Sequence, residues 1–186
     1  HRMPGFRVVI LYPDGRVSKR QAHQLGCFGD NVLALRMSSG FDQCQALAKQ
    51  AFSDSELRAK VPLSSANSIS LGRLLPQATY YAFASHLQHR ATGRRVSFIV
   101  PTGNLGNAVA ALIAKRAGLP IHRVLFATNR NRTVPEFLET GEYHARPSVG
   151  TLANAMDVGD PSNVARLRFM MTEDPSLCAA LGALSV

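Results

Sequence analysis

The stretch Val96-Ser-Phe-Ile-Val100, Pro101-Thr-Gly-Asn-Leu-Gly-Asn107, Ala108-Val-Ala-Ala-Leu-Ile-Ala114 constrains the fold more than any other part of this 186-residue chain. A short apolar run with β-branched and aromatic residues reads as a buried strand, and the alanine-rich run after it reads as a helix. Between them stands a turn with two glycines and two asparagines. Such a strand-turn-helix points main-chain N–H groups at one spot, at the positive end of the helix dipole, and so favours an anion. Gly103 and Gly106 would let the backbone approach that anion and could supply a positive φ. Asn104 and Asn107 would add amide donors, and Asn107 also suits an N-cap. The loop has no lysine and is not a Walker A loop. Its glycines stand as GxxG with no acidic residue at the right distance, so it is not a dinucleotide fingerprint either. Spacing alone leaves two readings, a phosphate cradle or a plain strand-to-helix connection.

Around this motif the periodicity alternates between strands and helices. Arg7–Tyr12 and Asn31–Met37 read as strands, with a short polar helix over Val17–Leu25 between them and a helical stripe over Phe41–Phe52. Val61–Ser70, richer in proline and serine, reads as a junction. Ile69–Leu87 has helical spacing interrupted by Pro76, which predicts a kink or restart. Arg94–Val100 and Ile121–Thr128 read as strands around a helix over Asn107–Ala117. A short helix over Glu136–Glu139 ends at Gly141, Ser162–Met171 forms another helix, and the remainder reads as loop. The fold class is α/β, with parallel-sheet layers and flanking helices.

Charge and cysteine usage narrow the function classes. Of the net charge of +9, the segment Leu57–Pro135 holds eleven Lys or Arg and no Asp or Glu. Nucleic acid is the obvious polymer partner for such a segment. Its basic residues, however, scatter over strands, helices and loops, and Tyr80, Tyr81, Phe83 and Phe98 fall at core spacing instead of forming a stacking array. No nucleic-acid partner is therefore expected, and a small anion is. No apolar run approaches the roughly 20 residues of a membrane helix, so no membrane partner is expected. Cys27, Cys44 and Cys178 are too far apart in sequence for a zinc knuckle and odd in number for a disulfide scaffold, which suits free thiols in a reducing cytoplasm.

Other polar residues have plainer readings. His86, His89, His122 and His144 lack metal-ligand spacing, so no metal site is expected. No serine stands in a GxSxG elbow. Glu136, Glu139 and Glu142 read as a solvated helix edge. Asp157 has two readings, proximity to the site or a role in a turn.

Several longer stretches carry a family resemblance: Pro101–Asn107 (PTGNLGN), Ser65–Gln77 (SANSISLGRLLPQ), Leu11–Ser18, Gly29–Asn31, Phe41–Leu47, Ala127–Asn129, Phe137–Tyr143 and Ala155–Asp157. Taken in order, from about Arg7 to Phe169, they closely resemble threonine synthases, pyridoxal-phosphate enzymes of the tryptophan-synthase-β group. The resemblance implies parts of two sub-domains of a fold-type-II pyridoxal-phosphate enzyme: a small mobile βαβα sub-domain over residues 1–60 and part of a large cofactor-binding sub-domain over residues 61–186. It implies conversion of O-phospho-L-homoserine and water to L-threonine and phosphate, with a small phosphate ester as substrate and pyridoxal 5′-phosphate as cofactor. Gly103, Asn104, Leu105, Gly106 and Asn107 take the role of cradling the cofactor phosphate. Leu105 stands where the family commonly has phenylalanine and is expected to act chiefly through its backbone. Ser70-Leu71 replaces a frequent Asn-Trp, and no ligand role is carried to either position.

One departure bears on activity. The family holds its cofactor on a Schiff-base lysine in an F-K-D context, and none of Lys19, Lys49, Lys60 and Lys115 stands in such a context. No catalytic residue is therefore assigned, the lysine is expected upstream of His1, and the chain is expected to be inactive alone, as a central part of a longer enzyme. The alternatives are a non-catalytic threonine-synthase-like phosphate-binding protein and, behind it, a basic nucleic-acid-binding module. An exposed apolar domain face would make a homo-oligomer possible.

Overall fold

The computed structural model describes residues 1–185, the side chain at position 42 excepted, as two compact units, His1–Leu63 and Ser64–Val186. In the first unit the order is β1 (Val8–Pro13), α1 (Lys19–Gly26), β2 (Val32–Met37), α2 (Phe41–Ser53) and α3 (Ser55–Lys60). β1 and β2 pair in parallel, Val8 opposite Val32 through Pro13 opposite Met37, with α1 as the crossover. Parallel neighbours need such a connection because a tight hairpin cannot join them. α1 is polar, and its start is held by a reciprocal cap. The Ser18 hydroxyl accepts from the Gln21 N–H at 3.2 Å, and the Gln21 side-chain oxygen accepts from the Ser18 N–H at 3.2 Å. α3 was not expected from periodicity. Its signal is local: the Asp54 carboxylate accepts from the Leu57 N–H at 2.9 Å as a helix N-cap. This unit buries Pro13, Cys44 and Gln45, while Val8, Val9, Leu33 and Leu35 stay exposed.

The second unit contains the larger core. Its order is α4 (Leu71–Thr92), β3 (Val96–Pro101), α5 (Gly106–Arg116), β4 (Ile121–Thr128), α6 (Thr133–Thr140), a 3-10 turn (Asn154–Met156), α7 (Val164–Glu173), α8 (Ser176–Ala180) and β5 (Leu181–Ser185). The three strands form a parallel sheet in the order β3-β4-β5, with Ile99 opposite Leu125 and Leu125 opposite Gly182. α5 is buried along most of its length, at Gly106, Ala108 to Leu112 and Ala114. Small side chains allow that, because both the sheet and α4 can approach the helix closely. Leu74 and Tyr81 of α4 join this core, and Tyr81 meets Phe98 of β3 edge to face at 5.0 Å. Burial, with Tyr80 beside it, pushes the Tyr81 phenol far above its ordinary value.

Two expectations are corrected here. Pro76 does not restart the helix, and α4 runs unbroken for 22 residues. Proline removes one N–H from the second turn, and the buried side chains of Leu74 and Tyr81 hold the helix on either side of the gap. The C-terminal residues read as loop but include α8 and the third strand, β5. β5 draws its order from pairing with β4 rather than from its own composition of Leu, Gly and Ala. No helix of the described residues is long and apolar enough to cross a membrane.

Candidate phosphate site

The glycine turn lies between the end of β3 and the start of α5, and its side chains do different work from the sequence expectation. α5 begins at Gly106, two residues earlier than an Asn107 cap would require, and the cap position is Leu105. Leu105 adopts the left-handed conformation, with φ +60° and ψ 5°. For a residue with a Cβ that costs about 1–2 kcal/mol. The Leu105 side chain offsets the cost by burial: it is 1% exposed and belongs to the hydrophobic core. The Leu105 side chain thus anchors the turn in the core, which leaves the expected role of its backbone open to a ligand.

The glycines serve close packing. Neither Gly103 nor Gly106 has a positive φ. A Cβ on Gly103 would meet the Met156 backbone, at 2.8 Å from Cα and 2.9 Å from the carbonyl oxygen. A Cβ on Gly106 would lie 2.9 Å from the Cβ of Ser68. The turn is thus gripped from two sides, by the 3-10 turn at Asn154–Met156 and by the Ser65–Ser70 segment before α4.

The two asparagines brace the loop with their amides. Asn107 accepts from the Thr102 hydroxyl at 2.7 Å and donates to the Pro101 carbonyl at 2.9 Å, tying the helix start to the strand end. The Asn104 side-chain oxygen accepts from the Ser162 N–H at 2.6 Å and from its hydroxyl at 3.0 Å, while its nitrogen donates to the Ser68 hydroxyl at 2.6 Å. The Asn104 carbonyl accepts from the Asn163 side chain at 2.8 Å. Ser68, Met156, Ser162 and Asn163 therefore join the site. The sequence shows Ser68 and Met156 within longer stretches without a role, and no spacing rule points to the other two.

The main-chain N–H groups of the turn are not taken up by the protein. The N–H groups of Gly103, Asn104, Leu105, Gly106 and Asn107 have no acceptor among the described residues. The amides that open a helix have no intrahelical partner by construction. Leu105 and Gly106 are buried residues, and an N–H there costs free energy unless water or an anion meets it.

Asp157 has a turn role, and that turn lies beside the glycine loop, because its neighbour Met156 packs on Gly103. Its carboxylate accepts from the Thr151 N–H at 2.9 Å, the Thr151 hydroxyl at 2.7 Å and the Asn129 amide at 2.8 Å. Asn129 also accepts from the Asn131 side chain at 2.8 Å, and Asn131 donates to the Val149 carbonyl at 2.9 Å. This network pins the segment that carries Met156 to the end of β4. The acidic edge of α6 is exposed to solvent and carries ion pairs. Glu136 is paired with Arg146, whose hydrogen bond holds the Glu136 carboxyl below the ordinary carboxylate range.

Lys115 is the one lysine in residues 64–186, and it stands near the far end of α5 from the glycine turn. It stands nine positions after Gly106 on the helix, about 14 Å away at 1.5 Å per residue. Its ammonium donates to the Ile121 and His122 carbonyls at 2.8 and 3.1 Å. Burial and the neighbouring Arg95 lower its pKa. Among the described residues, no group of three His, Cys, Asp or Glu side chains is arranged to hold a metal ion.

No protein-family model matches the chain. Among curated proteins, threonine synthase of Haemophilus influenzae is 45% identical over 165 residues, which are 89% of this chain and 39% of the relative. Among solved structures, threonine synthase from Escherichia coli matches with a TM-score of 0.90 at 41% identity, over 98% of this chain and 43% of that one. Pyridoxal-phosphate-bound threonine synthase from Brucella melitensis matches with a TM-score of 0.78 at 35% identity, over 96% of this chain and 44% of that one. The chain is thus a homologue of threonine synthases over nearly its whole length, and it spans about two-fifths of the length of the curated relatives it matches.

Proposed function

From this homology we propose that the chain provides the phosphate-binding part of a pyridoxal-phosphate-dependent lyase of the threonine synthase type, acting on O-phospho-L-homoserine and water to give L-threonine and phosphate. The observation that carries the reading is the run of unpaired N–H groups from Gly103 to Asn107 at the start of α5, in a chain of this ancestry. Such a run suits a phosphate ester: it offers several donors and the positive end of a helix dipole. The segment around it, Leu57–Pro135, has no carboxylate to repel the anion.

In this reading pyridoxal phosphate, when bound, supplies an electron sink for reactions at carbon next to the substrate amine. The chain's own residues hold and orient. Gly103, Asn104, Leu105, Gly106 and Asn107 donate main-chain N–H groups to the cofactor phosphate. The Asn104 and Asn107 side chains keep the turn in shape, and the buried Leu105 side chain fixes the direction of its backbone. Lys115, about 14 Å along α5 from the turn and bonded to two carbonyls, is not the cofactor-bearing lysine. The cofactor-bearing lysine therefore lies outside residues 64–186, and because none of Lys19, Lys49 and Lys60 stands in the family's F-K-D context, the chain alone turns over no substrate. The first unit, His1–Leu63, takes the part of the small mobile sub-domain. The reading assigns the protein to the cytoplasm, and the biosynthetic role of the homologous threonine synthases supports that assignment.

The test pairs a binding assay with an activity assay. Pyridoxine 5′-phosphate has the phosphate but no aldehyde, so it reports the phosphate cradle without reacting with surface lysines. The chain should bind it and should bind pyridoxine at least about tenfold more weakly. With pyridoxal phosphate and O-phospho-L-homoserine added, no phosphate should be released. Equal affinity for the two vitamers would contradict the cradle, and turnover by the chain alone would contradict the assignment of the reacting groups.

A further inference from the structure

Arg166 of α7 lies 97 and 98 residues from the backbone it binds. Its guanidinium donates to the Ile69 carbonyl at 2.6 Å, to the Ser68 carbonyl at 3.3 Å and to the Asn163 side-chain oxygen. Asn163 is fully buried, and its amide nitrogen donates to the Asn104 carbonyl at 2.8 Å. Asn104 in turn donates to the Ser68 hydroxyl. The bonds close a ring, Arg166 to Asn163 to Asn104 to Ser68 and back to Arg166. Its members come from three separate stretches of chain, and one of them is the glycine turn.

We propose that Arg166 is a positioning residue for the phosphate loop: it locks the Ser68–Ile69 backbone and Asn163 against Asn104, so that the loop amides are arrayed before an anion arrives. The proposal rests on the phosphate reading given above and extends it to a residue that touches neither the turn nor, in that reading, the ligand. The choice of arginine follows from geometry. A guanidinium has five N–H donors in a rigid fork and can serve three acceptors at once, whereas a lysine ammonium is one rotating point. A turn that must order itself on binding loses affinity to that ordering, and a turn already braced does not. Among the described residues, Arg166 makes no ion pair with a carboxylate. Its charge therefore also remains uncompensated behind an anion site.

The experiment compares wild type with Arg166→Met, Arg166→Lys and Ser68→Ala. For each, the dissociation constants of pyridoxine 5′-phosphate and pyridoxine are measured, together with the melting temperature and hydrogen exchange of the unliganded chain. Arg166→Met should weaken pyridoxine 5′-phosphate binding by about tenfold or more, and Arg166→Lys should fall between it and wild type. Exchange should speed up at the amides of Gly103 to Asn107, while Ala110 to Ala114 in the middle of α5 keep their protection. Ser68→Ala opens the same ring without touching the arginine and should shift both readouts in the same direction. Unchanged affinity and unchanged loop exchange in Arg166→Met and Ser68→Ala would overturn the proposal. So would an affinity loss that only follows a global loss of stability, with exchange raised equally along α5. If wild type fails to prefer pyridoxine 5′-phosphate over pyridoxine, the phosphate reading fails by itself. Loop exchange then decides the positioning role alone: faster exchange in the variants upholds it, and unchanged exchange ends it.

Discussion

Gly103 packs so tightly on Met156 that a methyl group at its α-carbon would stand 2.8 Å from the Met156 Cα. The obstacle is backbone, which cannot rotate aside as a side chain would. The Met156 backbone is in turn held by the bonds of its neighbour Asp157 to Thr151 and Asn129. The glycine turn therefore leans on a second loop, about fifty residues further along the chain, that is itself pinned by a polar network.

Gly103→Ala should destabilise the chain by about 1–3 kcal/mol, the usual cost of forcing an extra carbon into a packed site. Denaturant unfolding measures it, and a variant as stable as wild type would mean that the two backbones separate freely.

At Leu105 the usual order of alanine and glycine in helical segments should reverse. Leu105→Ala keeps the left-handed strain and loses the buried side chain, so it should cost about 2–5 kcal/mol. Leu105→Gly loses the same packing but relieves the backbone, so it should be more stable than Leu105→Ala by about 1 kcal/mol. Thermal unfolding of the pair decides the matter.

Asp157→Ala strands three donors, from Thr151 and Asn129, and should cost about 1–3 kcal/mol while loosening the segment from His144 to Asp160. Limited proteolysis should show earlier cleavage in that segment, with α5 still resistant.

The Glu136–Arg146 pair makes a pH prediction with a definite sign. Hydrogen bonding to Arg146 lowers the folded-state pKa of Glu136 below its ordinary value. The unfolded chain therefore takes up the proton first as pH falls. The pair's contribution is complete above the ordinary carboxylate range and disappears as pH drops through the lowered folded-state value. The melting temperatures of wild type and Glu136→Gln should differ near neutrality and converge in acid. The difference will be small, because the pair is solvent-exposed.

Much of the fold could be read from periodicity, since β1, β2, β3 and β4 are runs of β-branched and apolar residues with turn signals at their ends. β5 could not, because Leu-Gly-Ala-Leu-Ser has no strand signature and becomes a strand only by lying beside β4. The unbroken α4 escaped for a related reason: the rule that proline breaks helices is local, and the contacts of Leu74 and Tyr81 that override it are not. The motif Pro101–Asn107 was visible as a turn of the right kind. The jobs of its members were not, because a glycine that avoids Met156 and a glycine that makes room for a ligand look alike in sequence. The same holds for Asn104, whose amide is taken up by Ser68 and Ser162 from distant parts of the chain.

The central claim is that the main chain of the turn binds the phosphate while its asparagine side chains act as scaffold. Amide proton and nitrogen shifts followed by nuclear magnetic resonance, as pyridoxine 5′-phosphate is titrated in, test it most directly. The backbone N–H signals of Gly103, Asn104, Leu105, Gly106 and Asn107 should move downfield together along one saturating curve, with the side-chain amide signals of Asn104 and Asn107 nearly still. A titration in which those backbone signals stay in place, or in which the two side-chain amides move instead, would contradict the account.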